Sequence, residues 1–128
     1  MTAVTVTAIH GKSISLSWTN VSANADCGRD PVVFYSVECD FATGTYTVLN
    51  SASEGFYVAY THTSLTAYPQ NVNFNYRVRP MNGVGYGPYS TAVTAVTCSI
   101  PLSMVSPSLF GVYYNQISLN WTDITLVT

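Results

Sequence analysis

Residues 74–90 alternate apolar and polar side chains and then break into a turn, and this pattern restricts the folds open to the chain. Phe74, Tyr76 and Val78 would share one face of a strand, because successive side chains of a strand point to opposite faces. Asn82 and the Gly and Pro residues that follow it supply the backbone conformations of a tight loop. The segment therefore predicts a half-buried strand and a short connection to a further strand.

Similar alternation recurs about every ten residues along the first hundred positions, with turn-forming residues between the runs. No segment shows the spacing of apolar residues that an amphipathic helix requires. The spacing predicts an all-β chain folded as a seven-stranded antiparallel β-sandwich. Strands are predicted at residues 4–9, 14–18, 33–37, 46–49, 56–65, 74–79 and 91–97.

The run FNYRVRPMNGVGYGPYS at residues 74–90 closely resembles the F strand, FG loop and first part of the G strand of fibronectin type III domains. Trp18 matches the tryptophan on the B strand of that family, and residues 20–31 match its BC loop. The resemblance implies an immunoglobulin-like sandwich that acts as an architectural or binding module. The side chains expected in the core of this module are Trp18, Tyr35, Val37, Phe74, Tyr76 and Val78.

Composition narrows the classes of function. Charged residues make up 8% of the 128 residues, against roughly 25% in typical soluble domains. Four basic residues and a net charge of -2 give no cationic surface for nucleic acid. No apolar run approaches the roughly 18 residues of a membrane-spanning helix. We therefore expect no nucleic-acid partner and no membrane insertion.

An internal repeat is the most informative feature beyond the fold. The run ISLSWT that begins at Ile14 recurs as ISLNWT from Ile117, an offset of 103 residues. We interpret residues 1–98 as one module and residues 99–128 as the A and B strands of a second, incomplete module with Trp121 in its core. A lone hairpin is marginally stable in water, so this piece would pack on the first module, pair with another chain or belong to a longer tandem array. The array is favoured, since modules that contact mainly their neighbours build extended fibres.

Catalytic chemistry is not expected. His10 and His62 lack acidic or cysteine partners at ligand spacing, and we predict exposed positions and no metal site for them. No nucleophile arrangement and no acid–base pair of carboxylates are present, and no cofactor is implied. Glu38 should form an ion pair with Arg77 or Arg79 on the solvent face, contributing about 0 to 1 kcal/mol as an exposed pair.

The three cysteines are more informative about the cellular compartment of the chain than about catalysis. The resemblance implies that Cys39 and Cys98 lie at one pole of the sandwich and could form a disulfide, while Cys27 lies in the BC loop at the opposite pole. Cys27 would then be available for pairing between modules or chains. The alternative is a cytosolic protein with three reduced thiols.

Two sequons begin at Asn20 and Asn120 and predict covalent glycans if the chain is exported. We expect an extracellular or cell-surface location. The favoured function is that of a non-catalytic structural module, the protomer of a surface fibre or stalk that associates with neighbouring modules or chains. One alternative is a ligand-binding or adhesion module that uses its BC and FG loops, and another is a passive spacer of a multidomain enzyme. The candidate loop residues are Arg29, Asp30, Asn82 and Tyr86.

Overall fold

A computed structural model describes residues 3–21, 30–65, 71–98 and 106–121. Within these ranges the chain forms nine strands and one 3-10 turn, Ala52–Glu54. The strands are β1 Thr5–His10, β2 Ser13–Ser17, β3 Phe34–Cys39, β4 Thr47–Val48, β5 Ala59–His62, β6 Asn73–Met81, β7 Val93–Val96, β8 Ser108–Tyr113 and β9 Gln116–Asn120.

The first seven strands form two antiparallel sheets. One sheet has the order β1-β2-β5, and the other has the order β4-β3-β6-β7. The longest pairing joins β3 to β6, from Phe34 opposite Met81 to Cys39 opposite Tyr76. This arrangement confirms the predicted seven-stranded antiparallel sandwich.

Two predicted strands are shorter than expected. Strand β4 contains only residues 47–48, because beyond Leu49 the Asn50 side chain takes the place of a backbone partner for β3. The Val37 N–H donates to Asn50 Oδ1 at 2.8 Å, and Asn50 Nδ2 donates to the Tyr35 carbonyl at 2.7 Å. The strand predicted at 56–65 begins at Ala59, because the preceding 3-10 turn ends at Gly55 with a φ of 92°. A positive φ of this size favours glycine and interrupts an extended chain.

The core lies between the two sheets. Alternate residues of β2 and β6 point into it, which explains the burial of Ile14, Leu16, Phe74 and Val78. All six side chains predicted for the core of the first module are buried: Trp18, Tyr35, Val37, Phe74, Tyr76 and Val78. The rings of Trp18 and Tyr35 meet edge to face with centroids 5.6 Å apart.

The outward face of β3 departs from the expectation of a solvent face. All six residues of β3 are buried, including Phe34, Ser36 and Glu38. Side chains of β6 and of the segment after it fold back over this face and cover it. The sheet therefore has a third layer, which a strict alternation of buried and exposed positions does not predict.

Strands β8 and β9 repeat the β1–β2 hairpin pair for pair. Thr5 opposite Ser17 becomes Ser108 opposite Asn120, and every other partner is shifted by the same 103 residues. The bulge between Val6 and Ala8 recurs between Leu109 and Gly111. The two segments thus have the same backbone pairing as well as similar sequences.

The side chains of β8–β9 are uncovered, unlike those of β1–β2. Trp121, which we expected in a core, is 57% exposed, whereas its counterpart Trp18 is 7% exposed. Leu109, Ile117 and Leu119 are exposed as well. The described residues include no second sheet that could cover Trp121, so its place in the core of a second module stays a prediction.

Candidate functional site

The layer that covers β3 is a stack of alternating tyrosine and arginine side chains, here called the Tyr–Arg ladder: Tyr46, Arg77, Tyr89, Arg79 and Tyr86. The Arg77 guanidinium carbon lies 3.9 Å from the Tyr46 ring centroid and 3.8 Å from that of Tyr89. The Arg79 guanidinium carbon lies 4.7 Å from the Tyr89 centroid and 3.9 Å from that of Tyr86. All four distances fall within the roughly 6 Å limit of cation–π contacts.

Local sequence accounts for the two arginines. Tyr76 and Val78 point into the core from β6, so the alternating positions of Arg77 and Arg79 place both guanidinium groups on the opposite face.

The loop after β6 returns the two tyrosines to that face. The N–H groups of Val84 and Gly85 donate to Asn82 Oδ1 at 3.0 and 3.2 Å. Gly85 has a φ of 149°, a conformation in which a residue with a side chain would be strained. The loop therefore closes tightly, and Tyr86 forms an isolated bridge with Met81.

Glu38 lies beneath the ladder and is 3% exposed. Its Oε2 accepts hydrogen bonds from Arg77 Nε at 2.9 Å and from Arg77 Nη2 at 2.7 Å. Its Oε1 accepts a bond from the Tyr89 hydroxyl at 2.9 Å and lies 3.5 Å from Arg79 Nη2. The expected ion pair is present, but its carboxylate is buried, so the small contribution expected of an exposed pair does not apply.

The electrostatics of the ladder are unbalanced, because two guanidinium groups share one carboxylate. Desolvation raises the pKa of Tyr89, and the hydrogen bond to Glu38 adds to this shift, so Tyr89 stays neutral and donates. Arg79 Nε and Ser36 Oγ are buried and have no hydrogen-bond partner in the described part of the chain. Ser36 is directly opposite Arg79 in the pairing of β3 with β6.

Two of the candidate loop residues hold the loop itself. The Gly83 N–H donates to Asp30 Oδ2 at 2.7 Å, and Asn82 Nδ2 donates to the Asp30 carbonyl at 3.4 Å. Tyr86, a third candidate, belongs to the ladder. Val84 at the loop tip is 89% exposed. Arg29 and the rest of residues 22–29 lie outside the described residues.

A second polar cluster is enclosed in the core. His62 was expected to be exposed but is 4% exposed, because it lies on the inward face of β5. Its Nδ1 is hydrogen-bonded to the Tyr76 hydroxyl at 2.9 Å. Burial lowers the pKa of His62 and raises those of Tyr76 and Cys39. All three groups are therefore held neutral, an arrangement that suits packing.

The described cysteines are free thiols. Cys39 is buried in the core, and Cys98 is exposed after the last strand of the sandwich. The structure gives the expected Cys39–Cys98 disulfide no support. Cys27, expected to pair between modules, lies outside the described residues.

Both sequon asparagines are exposed. Asn20 Oδ1 accepts a hydrogen bond from the Tyr35 hydroxyl at 2.8 Å, which fixes the orientation of the side chain. Asn120 ends β9 and has its backbone carbonyl hydrogen-bonded to the Ser108 hydroxyl at 3.3 Å. Ser22 and Thr122, which complete the sequons, lie outside the described residues.

Residues 3–21, 30–65, 71–98 and 106–121 contain no group of three or more His, Cys, Asp or Glu side chains placed to hold a metal ion. They also contain no helix of the length and apolar character needed to cross a membrane.

The ladder is the feature that sequence reasoning missed. Its sequence signal is the pair Arg77 and Arg79 on one face of a strand, followed by two tyrosines three positions apart, Tyr86 and Tyr89. Neither pair is informative alone, because only the tight loop between them places the tyrosines over the arginines.

Comparison with known proteins supports the fold. No family model and no curated protein matches the chain. A solved structure of the sixth fibronectin type III domain of human fibronectin type III domain containing protein 3 is 23% identical with a TM-score of 0.61, and the match covers 80% of this chain and 89% of that one. Domains A168–A170 of titin are 21% identical with a TM-score of 0.61, covering 76% of this chain and 31% of that one.

The FN1–FN3 domains of chicken CNTN1 are 13% identical with a TM-score of 0.59, covering 93% of this chain and 40% of that one. The chain thus spans about a third of the titin segment and two fifths of the chicken one. The chain has the fold of a fibronectin type III domain.

Proposed function

We propose that the chain is a non-catalytic structural module of an extracellular tandem-repeat protein, the protomer of a surface fibre or stalk. The observation that carries this proposal is the β8–β9 hairpin, which repeats β1–β2 at a constant offset and leaves its apolar side chains uncovered.

The first hairpin indicates what the second one requires. Strand β2 pairs with β1 on one edge and with β5 on the other, where Ile14 lies opposite His62. Its apolar face is buried against the second sheet of the sandwich. The β8–β9 hairpin has the same register, with Ile117 in place of Ile14. It is therefore suited to pair with a strand equivalent to β5 and to pack on a second sheet, and these elements together would make a second module.

The size of the hairpin favours a module over a small partner. Two strands of five and six residues offer a face of about 20 Å by 10 Å, or about 200 Å². A stable interface between proteins buries about 800 Å² on each side. The hairpin alone is therefore too small to form such an interface, which favours further strands beside it, as in a repeated sandwich.

The dimensions set the expected repeat. The nine residues of β6 correspond to a strand about 30 Å long, so modules joined end to end should repeat every 30 to 40 Å or so. The Tyr-rich, weakly charged surface suits contacts with neighbouring modules or chains, and glycans at Asn20 and Asn120 would help to keep such a surface soluble.

Electron microscopy of the native material tests the proposal. We expect filaments with an axial repeat near one module length. Dispersed single particles at high concentration would contradict the fibre.

Acrylamide quenching of Trp121 fluorescence gives a second readout, with Trp18→Phe to isolate its signal and Trp121→Phe as the matched control. Quenching should be strong in the chain alone and weak in the native assembly.

A recognition role for the loop after β6 is the second candidate. Val84 is 89% exposed on a loop that Asp30 holds in place through Gly83. An exposed apolar residue on a restrained loop is suited to contact with a partner protein. Loss of a cell-surface or partner interaction on Val84→Ser, with an unchanged melting temperature, would support it.

A further inference from the structure

We propose that Arg79, with Ser36 beneath it and Tyr86 above it, forms a binding site for a single carboxylate group. The site lies on one face of the sandwich and is independent of the proposed fibre. The two ladder arginines that border it are unequally hydrogen-bonded.

Arg77 and Arg79 occupy equivalent positions two residues apart, and their hydrogen bonding differs. Arg77 donates from both Nε and Nη2 to Glu38 Oε2 at 2.9 and 2.7 Å. These are the lengths of charge-assisted hydrogen bonds. Arg79 approaches Glu38 only through Nη2, at 3.5 Å, and its Nε has no partner within the described residues. The Nε–H of Arg79 is therefore available to an acceptor, whereas the Nε–H of Arg77 is hydrogen-bonded to Glu38.

The groups around Arg79 favour an anion. The ladder holds two positive guanidinium groups and one carboxylate, which leaves a local excess of one positive charge. Ser36 is 1% exposed, its hydroxyl is unpartnered among the described residues, and it lies opposite Arg79 across the two strands. Buried polar atoms are normally hydrogen-bonded, so two unpaired donors on directly opposite residues of paired strands indicate a missing acceptor.

Tyr86 controls access to these donors. It is 53% exposed, stacks over Arg79 at 3.9 Å and is joined to the sheet by one isolated bridge to Met81. Rotation of this ring would uncover Nε, while Tyr89 on the other side of Arg79 stays bonded to Glu38. The site can therefore open without disturbing the buried ion pair of Arg77.

A carboxylate fits these features best. Its charge matches the local excess, and its two oxygens match the planar fork of a guanidinium group. The Ser36 hydroxyl supplies a further donor at the same place. Such a group occurs on acidic sugars and on acidic side chains, and the experiment below compares these sources.

Titration followed by NMR of the arginine Nε–H groups tests the site. Sodium acetate is added to the full chain, against sodium chloride at equal ionic strength. We expect a saturable shift of the Arg79 Nε–H and of the Ser36 amide with acetate, and no comparable shift of the Arg77 Nε–H. Glucuronate and the α-amide of N-acetylaspartate, each with one carboxylate, are then titrated in the same way. The compound that binds more tightly identifies the source.

Variants make the result specific. Ser36→Ala should weaken acetate binding about threefold to tenfold, the effect of one lost hydrogen bond. Ser53→Ala, on the exposed 3-10 turn, should not change it. Arg79→Lys should abolish the saturable shift of the Ser36 amide while the spectrum stays dispersed. Shifts that are linear in concentration, that chloride reproduces or that follow Arg77 equally would overturn the proposal.

Discussion

Replacing Glu38 by glutamine should reveal how much of the sandwich's stability depends on the ladder. The substitution keeps the shape of the side chain but removes the charge that Arg77 and Arg79 share. Removing one partner of a buried ion pair costs about 3 to 5 kcal/mol. The arginine side chains are 29% and 24% exposed, so water compensates part of this loss. We expect a loss of about 2 to 4 kcal/mol of unfolding free energy.

Urea unfolding followed by circular dichroism measures the loss, with the m-value as a check that the extent of unfolding is unchanged. Glu54→Gln is the control, because Glu54 lies on the exposed 3-10 turn and should change stability by less than about 0.5 kcal/mol. A double-mutant cycle with Arg77→Gln should show a coupling within the roughly 0.5 to 3 kcal/mol seen for contacting pairs. A Glu38→Gln loss below about 1 kcal/mol would refute the reasoning, since that is the range of an exposed pair.

Two further predictions concern the core and the edge of β3. Burial lowers the pKa of His62, so the unfolded chain takes up this proton first as pH falls below about 6.5. The stability that neutral His62 contributes is complete above that pH and is lost as pH falls through the folded-state pKa. His62→Gln should reduce the loss of unfolding free energy at low pH, whereas His10→Gln, at an exposed position, should leave that loss unchanged. An equal loss in both variants would count against this account. Asn50→Ala removes both hydrogen bonds to β3 and should cost about 1 to 3 kcal/mol in urea unfolding. The matched change Asn73→Ala, at an exposed strand position, should cost little, and equal losses would argue against the proposed role of Asn50.

The sandwich could be predicted from sequence because its inner faces follow a simple periodicity. Phe74, Tyr76 and Val78 alternate with polar residues, and burial of one face of β6 requires this pattern. The repeat at Ile117 was equally visible, because identical residues recur at one fixed spacing. Features that appear as a regular pattern in the order of residues can thus be predicted from the sequence.

The outward face of β3 could not be predicted in this way. Ser36 and Glu38 occupy positions that periodicity assigns to solvent, yet both are buried. Their burial depends on Tyr86 and Tyr89, which reach them only through the conformation of the loop after β6. His62 shows the same limit: its polar ring is compatible with the core because Tyr76, distant in sequence, supplies a hydrogen bond.

The matching registers of β1–β2 and β8–β9 have a consequence for folding. Both hairpins present isoleucine, leucine and tryptophan at corresponding places, as in Ile14 and Ile117. The backbone pairing is therefore the same in both hairpins and does not determine which of them packs into a given sandwich. The tether joining a hairpin to its own strands favours the intended pairing, because it raises the local concentration of that hairpin above that of the competing copy. Fidelity of assembly in such a chain then depends on timing and proximity during synthesis as well as on complementarity between surfaces.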